Sequence, residues 1–277
     1  MDDYQPQGTL TTVHNLPTYV ARPSSNTNPK GILIIIPDAF GLPFPNNKHL
    51  ADTYASHGYL TYLPDFMDGH PAPGWMLYTF ASFLLSATWW DYLAKPYYFI
   101  LSLYGFIPFI WHNRFGSSMP RVTPFFAAVR ENEAKQMNLP IGCAGFCWGG
   151  QHTFALASGE YKTKTGQVLC DAHFTAHPSF VKVPGDAQKV KLPLSVAAAG
   201  KDNVMTIDQA RQVEAILREK QDKNQLRNSE VVYYETAGHG FGVRADPGNK
   251  EVKKHADDAV LQAMRFYERV FGEWKSS

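Results

Sequence analysis

Apolar and polar positions alternate in long blocks along this chain. Gly31–Ile36 is a continuous, β-branched apolar run that stops at Pro37-Asp38, the mark of a central parallel strand covered on both faces. Asn47–Ser56 then reads as a short helix and Tyr59–Leu63 as a second strand. Strand, helix and strand at this spacing make a right-handed crossover. Ahead of them Thr9–Ala21 reads as extended, with Pro17 favouring an edge or a hairpin. Downstream the pattern predicts helix Pro124–Met137, strand Ile141–Gly145 and helix Trp148–Ser158. It continues with strands Asp171–Ala176 and Leu192–Ala199, helix Thr206–Asp222 and strand Val231–Glu235. In the last element, Lys250–Trp274, residues Val260, Met264, Tyr267, Phe271 and Trp274 follow spacings of four, three, four and three. That stripe predicts a helix laid on a sheet. The expectation is one α/β domain over residues 1–277, its mostly parallel central sheet flanked by helices.

Residues 69–120 break the alternation. Neither Pro71–Trp90 nor Pro96–Asn113 contains an acidic residue, a lysine or an arginine. After Pro71, Pro73 and Gly74 the first run leaves Trp75–Trp90, about 24 Å of helix against a bilayer core of about 30 Å. Gly105 and Pro108 interrupt the second run. The expectation is an aromatic-rich cap or lid insertion of two short apolar helices folded over a pocket. Membrane contact through this cap is the lesser alternative, since Trp and Tyr also favour interfaces.

Composition narrows the partners. Lys+Arg 26 against Asp+Glu 25 leaves a net charge of +1, which gives no electrostatic argument for nucleic acid or an anionic membrane surface. A hydrophobic fraction of 44% is enough for a sizeable core. Cys143, Cys147 and Cys170 form neither a disulfide framework nor a zinc spacing. The start, MDDYQPQGTL, has no basic and apolar leader pattern, so a reducing, cytoplasmic compartment is expected.

The chemistry concentrates at Gly145-Phe146-Cys147-Trp148-Gly149-Gly150, directly after a strand and before a helix. This is a nucleophile elbow with cysteine in the serine position. Small residues two places either side let the strained turn close. The N-terminus of the next helix can lower a thiol pKa and hold an oxyanion. An acid and then a base should follow in the chain, each after a later strand. Asp202 lies in the loop after Leu192–Ala199 and His239 in the loop after Val231–Glu235.

These residues resemble the dienelactone hydrolase family, α/β-hydrolases with a Cys-Asp-His triad. The matching pieces are TLTTVHNLPTYVARP, IPDAFGL, YLTYLPDF, GFCWGG, AAGKDNVM and ETAGHGFGVR. The resemblance implies an α/β-hydrolase fold with Cys147 as nucleophile, His239 as base and Asp202 orienting it. It also implies backbone oxyanion donors at Ala39 and Trp148, and Asp38 as the acid that helps control the cysteine's ionisation. Arg244 is the candidate for gripping a substrate carboxylate, and Phe40, His177 and Trp111 are further candidate substrate contacts.

Between Trp75 and Asn113 Lys95 stands as the sole lysine or arginine. This favours an apolar or aromatic, polyketide-like ester or lactone of secondary metabolism over a small anionic lactone. A thioester intermediate suits such activated substrates better than amides. The alternatives are a non-hydrolytic cyclase, isomerase or acyl-transfer catalyst in natural-product biosynthesis, and a catalytically silent binding protein. His152, five past the cysteine, reads as structural. His173 and His177 would lie about 13 Å apart on a strand, so no metal is expected, and no cofactor is called for.

Overall fold

The computed structural model describes residues 4–24, 28–77, 79, 89–245 and 248–276. A hairpin of β1 (Thr9–Val13) and β2 (Leu16–Ala21) opens the chain and turns at His14 and Asn15, both in the left-handed region. It is followed by β3 (Ile32–Ile36), β4 (Leu60–Pro64), β5 (Ile141–Phe146), β6 (Ala172–Ala176), β7 (Leu194–Lys201) and β8 (Glu230–Gly238). These form an eight-stranded sheet in the order β1-β2-β4-β3-β5-β6-β7-β8. The six strands from β4 to β8 are mutually parallel, and the hairpin adds to β4 antiparallel.

Every residue of β3 is buried because each face of the strand has its own helical layer. Leu33 and Ile35 join the core built with α1 (Pro45–Ser56) and α7 (Lys250–Ser276). Ile32, Ile34 and Ile36 join the opposite core, which draws Met119, Val122, Phe125, Phe126 and Val129 from α3 (Phe115–Val129). Pro45 starts α1 where a missing N–H costs nothing. On α7 the predicted stripe is broadened: Met264, Tyr267 and Phe271 are buried together with Ala263, Phe266 and Val270. The elbow helix α4 (Gly149–Ala157) is followed by short α5 (Gly185–Lys189) and then α6 (Ile207–Asp222). Thr206 and Gln209 close a capping box at the start of α6.

Between β4 and β5 the second apolar run is one continuous helix, α2 (Trp89–Asn113), with Pro96 and Pro108 inside it. The expected break at Gly105 and Pro108 does not occur. Gly105 instead sits against Trp75 and Met76, where a Cβ would come within 2.6 Å of the Trp75 ring. Most of the first run, residue 78 and residues 80–88, lies outside the described residues. After α3 the chain passes through a π-helical turn at Arg130–Ala134 and one further turn, Lys135–Met137. The predicted helix Pro124–Met137 therefore begins nine residues earlier, at Phe115.

Candidate active site

Because β3 and β5 through β8 run parallel, their C-terminal ends open on one edge of the sheet, where α/β proteins place ligands. Asp38 and Ala39 leave β3, Cys147 leaves β5, His177 and Ser179 leave β6, Asp202 leaves β7 and His239 leaves β8. Cys147 adopts φ 50°, a left-handed conformation that costs a non-glycine residue about 1–3 kcal/mol. The turn closes because its neighbours have no side chain. A Cβ on Gly145 would lie 2.0 Å from Thr153 Oγ1, and one on Gly149 would lie 2.1 Å from the Ile36 carbonyl oxygen.

Cys147 Sγ lies 3.2 Å from His239 Nε2, and His239 Nδ1 lies 2.9 Å from Asp202 Oδ2. Asp202 Oδ1 accepts the Val204 amide at 2.7 Å, so both carboxylate oxygens are engaged. Both strands run further than the sequence suggests: β7 reaches Lys201 and β8 reaches Gly238, with a register shift between Ala199 and Lys201. Asp202 and His239 are thus the first residues past paired strand ends, not mid-loop residues. The site is nearly closed, with Cys147 9% exposed.

Burial pushes the Cys147 thiol up, but the hydrogen bond and charge of His239, together with the charge of Arg244, outweigh it and hold the thiol below its ordinary value. Burial likewise disfavours a charged His239. Its bonds to Asp202 and Cys147, with their charges, lift it from 6.5 to about 9. The pair therefore leans toward thiolate and imidazolium. Among the described residues, the amides of Ala39 and Trp148 donate to no protein acceptor. Both are left free to meet a developing negative charge.

Several expected contacts are placed differently. Asp38 is fully buried and pairs with Arg244, while its other oxygen accepts from Asn47 Nδ2 at 3.0 Å and from the Phe40 amide at 3.2 Å. Its charge opposes that of Arg244 at the thiol. Arg244 is held beside Cys147 by its ion pair with Asp38, and its guanidinium lies over the Phe40 ring at 5.3 Å. Trp111 falls away from the site. It is exposed, its ring packs on Arg114, and it stands about 200° around the helix from Phe109, which meets the Trp148 ring. His177 is buried against His239 and Phe241, with neither ring nitrogen bonded within the protein. Burial, with the His239 and Arg244 charges, holds it well below 6.5. His152 is buried between Ser118 Oγ and the Trp148 carbonyl, and burial pushes it down to about 3. His173 Nε2 lies 3.0 Å from Cys170 Sγ, and its Nδ1 lies 3.0 Å from the Pro193 carbonyl oxygen.

Ser179 belongs to the His177-Pro178-Ser179 run at a strand end, which the sequence marks as a candidate pocket lining. Its Oγ lies 3.4 Å from both Cys147 Sγ and His239 Nε2, and its amide donates to the Cys147 carbonyl at 2.8 Å. Asn47, which also donates to the Gly41 carbonyl, escaped the sequence reading.

Comparison with known proteins agrees with this architecture. The model of the dienelactone hydrolase family matches residues 16–271, and the chain belongs to that family, hydrolases with an α/β fold. It is 28% identical over 271 residues to hydrolase tropI of Talaromyces stipitatus, covering 97% of this chain and 92% of that protein. It is also 28% identical to dienlactone hydrolase 1 of Gibberella moniliformis, covering 95% of this chain and 89% of the other. Among solved structures, a putative dienelactone hydrolase from Klebsiella pneumoniae superimposes with a TM-score of 0.59 at 18% identity. That match covers 94% of this chain and 97% of the other.

Proposed function

We propose that this protein is a cysteine-dependent hydrolase of apolar or aromatic esters and lactones, acting through an acyl-Cys147 intermediate. The observation that carries the reading is the continuous Cys147, His239, Asp202 contact chain on a left-handed elbow. His239, oriented by Asp202, holds the proton released by the Cys147 thiol, and the sulfur attacks the substrate carbonyl carbon. The tetrahedral oxyanion is met by the amides of Ala39 and Trp148, each such donor being worth about 3–4 kcal/mol. As the C–O bond breaks, the imidazolium returns its proton to the leaving oxygen. Water then gives a proton to His239 and attacks the thioester, releasing the acid and the thiol.

The substrate class is supported by the aromatic inner rim, where Phe40 and Phe109 approach the elbow and no unpaired cation faces Cys147 among the described residues. A polyketide-like lactone or ester fits such a rim. Residues 69–120 act as the cap, with Phe109 its inner contact. The three free, buried cysteines suit a reducing cytoplasm.

Intact mass after brief exposure to p-nitrophenyl acetate, with nitrophenol release followed in parallel, tests the reading. One acetyl group on the wild type and on Cys143→Ala is expected, and none on Cys147→Ala. His239→Ala should acylate and turn over far more slowly. Release that persists in Cys147→Ala would overturn the nucleophile assignment and favour non-thiol or non-hydrolytic chemistry in the same pocket.

A further inference from the structure

We infer that the outer face of α2 docks on a lipid bilayer surface, lying in the interface and not crossing it. The helix is apolar on both sides: Phe106, Phe109 and Ile110 pack on the core, and the outer side is apolar as well. Toward the protein it turns Ser102, Gly105, Phe109 and Asn113, and two of these are tied by hydrogen bonds: Asn113 Nδ2 donates to the His70 carbonyl at 2.7 Å, and Ser102 Oγ donates to Thr79 Oγ1 at 3.4 Å. Toward solvent it turns Leu93, Tyr97, Ile100, Tyr104, Ile107 and Trp111, each 59–74% exposed. Leu93–Asn113 has a mean hydropathy of 1.3, with only 17% of its most apolar window buried. A surface helix of a soluble protein turns charged and polar residues outward instead. Water gains nothing from such a face, whereas the acyl boundary of a bilayer accommodates apolar side chains with tyrosine and tryptophan at its edge.

A second copy of the chain fits this face less well. The exposed residues follow spacings of four and three, like the seam of a paired helix. However, the flanking positions Pro96, Leu101, Leu103 and Pro108 carry no charge, where a helix pair in water places its ion pairs. Charge follows the same logic. Pro96–Asn113 is free of acids, lysine and arginine, and exposed Arg114 stands directly at its end, at the level where headgroup phosphates would lie.

Co-sedimentation of the full chain with phosphatidylcholine vesicles, with and without phosphatidylserine, tests this independently of any hydrolase activity. The wild type should pellet with both, and Ile100→Glu/Tyr104→Glu/Ile107→Glu should lose roughly a hundredfold or more in partitioning. The milder Tyr97→Gln/Tyr104→Gln should lose about tenfold, and the melting temperatures of both variants should match the wild type. Wild type that stays in the supernatant, or variants that pellet equally well, would overturn the proposal. So would a wild-type dimer, seen by sedimentation without lipid, that the triple substitution dissociates, since the face would then be an interface between copies.

Discussion

Replacing Asp202 with asparagine should place the His239 proton on the wrong nitrogen. Asp202 accepts twice, from the Val204 amide at 2.7 Å and from the His239 ring at 2.9 Å. Asparagine has the same shape but only one accepting atom. The Val204 N–H can be met only by the carbonyl oxygen, so the NH2 group turns to His239 Nδ1. Nδ1 must then accept, and the proton of neutral His239 moves to Nε2, 3.2 Å from Cys147 Sγ. That tautomer cannot take the thiol proton, and the carboxylate that helps lift His239 to about 9 is gone. In serine triads the same exchange lowers kcat by about 10⁴. A loss of about 10³–10⁴ in kcat/KM is expected here, some 4–5.5 kcal/mol of transition-state stabilisation. Asp202→Ala leaves Nδ1 free to find water and either tautomer open, so it should fall only about 10². The assay is kcat/KM for p-nitrophenyl acetate across pH, with iodoacetamide alkylation of Cys147 reporting the thiolate. Asp202→Asn within tenfold of the wild type, or more active than Asp202→Ala, would refute the tautomer argument.

Three further outcomes follow from the same contacts. His239 is lifted from 6.5 to about 9, so its imidazolium stabilises the folded state fully below pH 6.5. That contribution, at most roughly 3 kcal/mol, is lost as pH rises through 9. The gap in urea midpoint between wild type and His239→Gln should therefore narrow over that range, and a pH-independent gap would contradict the assignment. Arg244→Met strands the buried Asp38 carboxylate and should cost about 3–5 kcal/mol in urea unfolding. Adding Asp38→Asn should recover most of that loss, and a double variant no more stable than the single would count against the pair. Ser179→Ala removes the hydroxyl shared by Cys147 and His239, and the alkylation rate below neutral pH should drop about tenfold.

Much of this was legible because it is local. The five apolar residues of β3 divide between two cores, which is what an uninterrupted run between two helical layers requires. The elbow glycines are dictated by contacts within a few residues or across one strand. The ends of β7 and β8 were less legible, since Gly200 reads as a loop glycine. In the structure a Cβ there would lie 2.2 Å from the Glu235 carbonyl oxygen. The glycine lets β8 close in beside a bulge, so strand pairing continues past it. Arg244 and Asp38 are 206 positions apart, and Ser179 meets Cys147 only through the turn after β6. No spacing encodes such contacts.

Helix α2 shows why breaker residues mislead here, and why the same residues limit how it can sit in lipid. Gly105 is chosen for close approach to Met76 and Trp75, not for a turn. Pro96 and Pro108 are both exposed, and prolines inside a helix are a usual cause of curvature. Each proline withholds an N–H, so the carbonyl four residues earlier, Tyr104 in the case of Pro108, loses its partner within the helix. Water or a headgroup can satisfy that carbonyl, but hydrocarbon cannot, at a cost of several kcal/mol. A helix with one face fastened to the sheet domain and a freed carbonyl on its apolar side is suited to a hydrated interface and poorly suited to a bilayer centre.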